Sequence, residues 1–142
     1  MRALFLAGVD PSADARWGAA LDRLPFLVVA DIFLTPAAQR ADVVLPGASF
    51  AGREGTLTSL ERRVQRVRPG FAPPGEARPD WQTIVALAKE LGHEWRYAGP
   101  ADVLRELAEA VPLYRGLVPE RLGDKGLQWP WPLAVEAPVR AV

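Results

Sequence analysis

The chain has no cysteine, which removes disulfides, thiolate zinc sites and iron–sulfur clusters from its own repertoire. It has one histidine, His93, whereas zinc and non-haem iron sites draw on several His or Cys ligands. A Ser–His–Asp arrangement would have to use that same residue. It sits just past a predicted helix end beside Gly92, where an imidazole caps the last carbonyls. Phosphate loops are missing too. Gly8-Val9-Asp10 lacks the G-x-G-x-x-G pattern, and no G-x-x-x-x-G-K-[ST] occurs. Apolar runs stay far short of the roughly 20 residues of a membrane span, and Leu4 to Ala7 is too brief for a signal peptide core. Together with the absence of cysteine this suits a cytoplasmic chain without direct membrane insertion. By motif alone there is no complete active site and no metal-binding set.

What is present is a balanced, apolar-rich chain of domain size. Of 142 residues 49% are hydrophobic in type, enough for a sizeable core. The 17 basic and 17 acidic residues cancel, so no global field draws the protein to nucleic acid or an anionic membrane. The basic run Arg62-Arg63-Val64-Gln65-Arg66-Val67-Arg68 lacks interleaved aromatics and reads as a solvated strand or subunit contact. Only Lys89 and Lys125 among the basic residues are lysine.

Residues 3–7 form a short apolar run, read as a buried strand, and Gly8-Val9-Asp10-Pro11 turns the chain. Ser12 and Asp14 are both N-cap candidates for a helix over 13–23, which Pro25 stops. A second apolar run, Phe26 to Ala30, ends at Asp31. A helical turn over 35–40 precedes a third run, Val43-Val44-Leu45, ended by Pro46 and Gly47. Three such runs separated by helical stretches predict parallel strands joined by crossovers, each buried on both faces. In such sheets ligands bind at the carboxyl ends of strands, which singles out Asp10 and Asp31.

Two extended pieces follow, over 56–60 and 63–68, and they suggest a hairpin. Pro69 to Pro79 is a loop. Residues 81–91 form the clearest helix, with Ile84, Leu87, Ala88 and Leu91 on one face and Gly92 as its stop. A last helix covers about 101–110. Beyond it Pro112, Pro119, Pro130, Pro132 and Pro138 rule out regular helix, and Trp129 and Trp131 mark a tail that buries indoles against a core or partner. The expected organisation is a three-layer Rossmann-like α/β domain with a short parallel sheet over 1–111. An irregular Pro/Trp-rich tail over 112–142 follows it.

The stretch from Val28 through Asp31, Thr35-Pro36 and Arg40-Ala41-Asp42 to Val43-Val44-Leu45-Pro46 resembles a segment of molybdopterin oxidoreductase large subunits. Glu54-Gly55-Thr56-Leu57-Thr58-Ser59-Leu60-Glu61-Arg62-Arg63-Val64-Gln65 and Pro74-Gly75-Glu76-Ala77-Arg78-Pro79-Asp80-Trp81 resemble two further hallmarks, in the family's order and spacing. The Glu-Arg-Arg-Val-Gln form looks most like formate dehydrogenase alpha subunits and related nitrate reductases. The large subunit of NADH-quinone oxidoreductase shares the central segment. The tail stretches Tyr114-Arg115-Gly116-Leu117, Glu120-Arg121-Leu122 and Gly126-Leu127-Gln128-Trp129-Pro130 resemble the formate dehydrogenase region before a C-terminal barrel.

The resemblance implies an α/β domain that binds the guanosine end of a molybdopterin guanine dinucleotide. It implies partners too: the remaining domains or subunits of such an oxidoreductase, which supply the metal ligand, the iron–sulfur segment and the barrel. The chain by itself is expected to be catalytically incomplete. The alternative is a non-catalytic structural or assembly domain of a redox complex. The resemblance assigns cofactor contacts to Asp10, Ala30, Asp31, Thr35, Arg53 and Asp80. Asp31 is matched to guanine, whose ring N–H and amino group a carboxylate accepts side by side. Asp80 serves equally as an N-cap, Thr35 as a cap of the turn at 36–40, and Arg53 as a surface arginine. Four positions depart from the family pattern. Asp10 and Ser59 stand where asparagine is usual, Gly52 where glutamate is usual, and Trp131 where a cysteine often follows Trp-Pro.

Overall fold

The computed structural model describes residues 1–131; residues 132–142, with Pro132 and Pro138 of the expected tail, lie outside the described residues. The described chain divides into two compact units. One comprises residues 1–53 and 69–95, the other residues 54–68 and those from 96 onward. The division does not follow the expected boundary at 111. Residues 112–131 carry elements of the second unit.

The first unit is built on three parallel strands, β1 (Leu4–Ala7), β2 (Leu27–Asp31) and β3 (Val43–Pro46), in the order β1-β2-β3. Parallel neighbours require crossovers, and the two short helical segments supply them. Helix α1 (Ala15–Leu21) links β1 to β2, and α2 (Pro36–Gln39) links β2 to β3. The central strand is the most buried, with Leu27, Val29 and Ala30 at 2%, 0% and 2% exposure. Leu27 and Val29 pack with Leu6, Leu21, Ala37 and Ala38 in one cluster. Alanines in α2 let it lie close to the sheet. Asp42 fixes the start of β2, because its Oδ2 accepts from the Leu27 amide at 2.7 Å.

Two expectations need correction here. The helix over 13–23 is broken into a 3-10 turn, Pro11–Ala13, and α1. Asp10 and Asp14, not Ser12, cap them: Asp10 accepts from the Ser12 amide and Asp14 from the Arg16 amide. Short acidic side chains compete for nearby backbone N–H groups, and Asp14 does so in an extended conformation that interrupts the helix. The second correction concerns β3. Val43 and Val44 point to opposite faces and are 38% and 41% exposed, so this edge strand is not buried on both sides.

Helix α3 (Asp80–Glu90) completes the first unit. It ends in a Schellman arrangement. Gly92 adopts φ +86°, its amide donates to the Lys89 carbonyl, and the His93 amide donates to the Ala88 carbonyl. The cap at His93 is thus made by its backbone rather than the expected imidazole. Of the apolar face read from the sequence only Ala88 is buried; Ile84, Leu87 and Leu91 are exposed.

The second unit contains an antiparallel sheet, β4 (Gly55–Thr58), β5 (Arg63–Val67) and β6 (Leu127–Gln128), in that order. The predicted hairpin is β4–β5, and β6 comes from the proline-rich region. Helices α4 (Pro100–Ala110) and α5 (Pro119–Leu122) accompany it. Val64, Leu104, Leu117, Leu122 and Trp131 form its core, and the Trp131 indole N–H donates to the Arg115 carbonyl at 2.9 Å. The Arg62 guanidinium stacks over Trp129, 5.0 Å from the ring centroid.

These cores predict a sharp contrast in mutant stability. Leu27→Ala is expected to cost about 2–5 kcal/mol, as buried leucines do on truncation. Leu60→Ala, at a fully exposed position, is expected to stay within about 0.5 kcal/mol. Urea denaturation followed by circular dichroism checks both; equal effects would contradict the assigned core.

Candidate functional site at the carboxyl ends of the parallel strands

The parallel sheet directs its carbonyl ends to one edge, and the candidate residues gather where β1 and β2 stop. Asp31 is the last residue of β2 and pairs in register with Pro46 of β3. Its backbone carbonyl accepts from the Gly47 amide at 2.9 Å, continuing the parallel pairing one step past β3. Its side chain bends back on the loop: Oδ1 accepts from the Phe33 amide at 3.1 Å. That leaves Oδ2, and the second lone pair of Oδ1, for a further donor.

The segment after β3 ties a second carboxylate to the same place. Gly47 bridges Arg78 in parallel fashion, the Ala48 amide donates to the Arg78 carbonyl at 2.8 Å, and the Arg78 amide donates to Pro46 at 3.1 Å. Two residues on, Asp80 opens α3. It is not the N-cap: Pro79 occupies that position and no side chain caps the helix. Instead Asp80 Oδ2 accepts from Arg53 Nη1 at 2.8 Å, in a pair with each side chain about one-third exposed. Its carboxylate at the first turn also suits the positive end of the helix dipole. Arg53 is therefore a paired residue and not a free surface arginine. A cavity of about 240 Å3 lies alongside, lined by Leu45, Pro46, Glu76, Arg78, Thr83 and Ala86.

Thr35 caps α2, with Oγ1 accepting from the Ala38 amide at 3.2 Å. Its hydroxyl hydrogen is not consumed by that bond. Ala30 lies one residue inside β2, and its carbonyl accepts from the Gly8 amide at 2.8 Å. Being buried, it presents no side-chain group to a ligand. Asp10 follows β1 and points its carboxylate toward donors at the same edge. The Ser12 hydroxyl and amide hold its pKa below the ordinary value of 3.8, helped by the Ala37 amide and the Arg40 charge.

Gly47 thus lies against the Asp31 backbone and Asp80, Asp80 holds Arg53, and Asp10 is directed to the start of α2, which Thr35 caps. Sequence reasoning missed Gly47, reading it only as a strand stop. The signal was present in its position directly after Pro46 at the strand's carboxyl end, where glycine permits close approach. Sequence reasoning also paired Asp80 with nothing, because Arg53 is remote along the chain. Among the described residues no helix is long and apolar enough to cross a membrane.

A short parallel sheet joined by helical crossovers, with acidic residues at its carboxyl ends, defines a mixed α/β fold. The sequence profile described as molybdopterin oxidoreductase matches residues 1–90. The chain belongs to that family. It is 45% identical over 133 residues to the F420-dependent formate dehydrogenase 2 subunit alpha of Methanococcus maripaludis, covering 89% of this chain and 20% of that protein. The protein named "Probable oxidoreductase YjgC" of Bacillus subtilis is 50% identical over 113 residues, covering 79% of this chain and 12% of that protein. Among solved structures, acetylene hydratase from Pelobacter acetylenicus superposes with a TM-score of 0.63 at 24% identity, over 73% of this chain and 15% of its own. That likeness concerns the fold. The chain spans 12–20% of the length of these two curated relatives.

Asp10 supplies a pH test of the local geometry. Its depressed carboxyl contributes stability in full above pH 3.8, and that contribution is lost as pH falls through the lower folded value. Carboxyl-detected NMR titration should give a midpoint below 3.8. Ser12→Ala should move that midpoint upward; an unmoved midpoint would refute the assigned cause.

Proposed function

We propose that this chain is a partial α/β domain of a formate dehydrogenase-type oxidoreductase that holds the guanosine end of a molybdopterin guanine dinucleotide. The observation that carries the reading is Asp31. It is an acid ending the central buried strand, with one carboxylate oxygen free of donors among the described residues and a second carboxylate, Asp80, held nearby through Gly47. Guanine offers a ring N–H and an exocyclic amino group on one edge, and a carboxylate accepts both as charge-assisted bonds. Adenine lacks that pair of adjacent donors.

In this reading Thr35 donates its hydroxyl hydrogen to the nucleoside, and Arg53, oriented by Asp80, faces the phosphate end. Ala30 contributes only the backbone that sets the height of Asp31. Asp10 fits the group poorly, because a carboxylate already engaged by Ser12 adds negative charge beside a diphosphate. The cofactor, when bound with its metal, supplies the redox chemistry. This chain's residues bind and orient its nucleotide end, and the remaining domains or subunits of the enzyme, in the cytoplasm, hold the rest.

A second reading has the engagement of Asp10 in its favour: a non-catalytic assembly domain in which nucleotide binding has lapsed. One measurement separates the two. Isothermal titration with GDP and ADP should show a clear preference for GDP. Asp31→Ala should weaken GDP binding by about 10–100-fold, the equivalent of one or two hydrogen bonds to a charged group, and erase the preference over ADP. No GDP binding at millimolar concentration would sink the cofactor reading and leave the assembly domain.

A further inference from the structure

Gly47 stands between the end of β2 and the start of α3. A Cβ at this position would lie 3.3 Å from the Asp31 carbonyl carbon, 3.4 Å from its oxygen and 3.5 Å from Asp80 Oδ1. The position is therefore closed on one side by backbone and on the other by the carboxylate that pairs with Arg53. Conformation does not explain the glycine. Gly47 is not among the residues at positive φ, so no left-handed backbone conformation calls for a glycine here. Its own amide holds the Asp31 carbonyl, and its bridge to Arg78 fixes the strand that delivers Asp80. What the glycine provides is the absence of a side chain.

We propose that Gly47 is a positioning residue of the nucleotide site, which keeps the Asp80–Arg53 pair against the end of β2 beside Asp31. The inference rests on the guanosine reading. A methyl group here asks the Asp31 carbonyl carbon to give by a few tenths of an ångström, and it fills the contact distance to Asp80 Oδ1. A β-branched side chain adds two γ-carbons to a Cβ that already touches the Asp31 backbone and the Asp80 carboxylate, and so presses further on both. Asp31 then loses its place relative to the base, and Arg53 loses its place relative to phosphate. Both forms of selectivity depend on one missing Cβ.

The test is Gly47→Val, with Gly47→Ala as the milder variant, titrated with GDP, ADP and guanosine by calorimetry on the whole chain. Two ratios are read: the preference for GDP over ADP, which reports Asp31, and for GDP over guanosine, which reports Arg53. Gly47→Val should reduce both by on the order of tenfold, as overpacked sites do, and Gly47→Ala should fall between it and the parent. A variant that merely folds less well shows fewer binding sites per chain with both ratios intact. That outcome, in the Ala variant if the Val variant does not fold, overturns the proposal while leaving the guanosine reading standing. A parent protein that binds no GDP overturns both.

Discussion

The hydrogen bond from the Gly47 amide to the Asp31 carbonyl is the joint on which the candidate site turns. It extends the β2–β3 pairing one step beyond β3 and hands the chain to Arg78, whose own pairing with residues 46–48 carries it to Asp80. Parallel strands make this possible. All three point their carboxyl ends the same way, so an acid ending one strand and a loop leaving the next necessarily meet. Backbone bonds set the separation between Asp31 and Asp80, and side-chain bonds only adjust it. A site so built keeps its geometry even when its charges are unpartnered.

The sheet itself was easy to read from the sequence for a physical reason. The central strand β2, buried in the parallel sheet, is apolar up to its last residue, and β1 and β3 beside it are also short apolar runs bounded by turn residues, whatever their exposure. The alternation in Arg63–Val67 likewise exposed an antiparallel strand, and Gly92 marked a helix end through a left-handed conformation that few other residues adopt. Such signals are local. They depend on what neighbouring residues do to the same stretch of backbone.

What remained hidden was non-local or competitive. Arg53 and Asp80 are 27 residues apart, and no periodicity connects them; the bridge at Gly47 and Arg78, with the Gly70 amide on the Ala51 carbonyl, brings their segments together. The break between Pro11–Ala13 and α1 arose because Asp10 and Asp14 each seized a backbone amide, an outcome that two acids four residues apart do not announce. Burial was overestimated for β3 and for α3, since Val43, Val44, Ile84, Leu87 and Leu91 look like core residues by type yet stand exposed. Apolar type states a tendency to be covered. Which surface covers a residue is a property of the whole assembly.

Charge gives the last constraint on what this edge accepts. Asp10, Asp31 and Asp80 bring three carboxylates to the carboxyl ends of the strands, against the guanidinium of Arg53, already paired, and the nearby charge of Arg40. Such a balance favours donors over anions. Under the proposed reading a guanine edge, rich in N–H groups, meets it well, whereas a diphosphate gains little at Asp10 and must rely on Arg53 leaving part of its fork for phosphate. A guanidinium has five N–H donors, and Asp80 is contacted through Nη1. Donors therefore remain after the pair forms. The Asp80–Arg53 pair and phosphate contact are compatible, and the acid that binds the arginine also aims it.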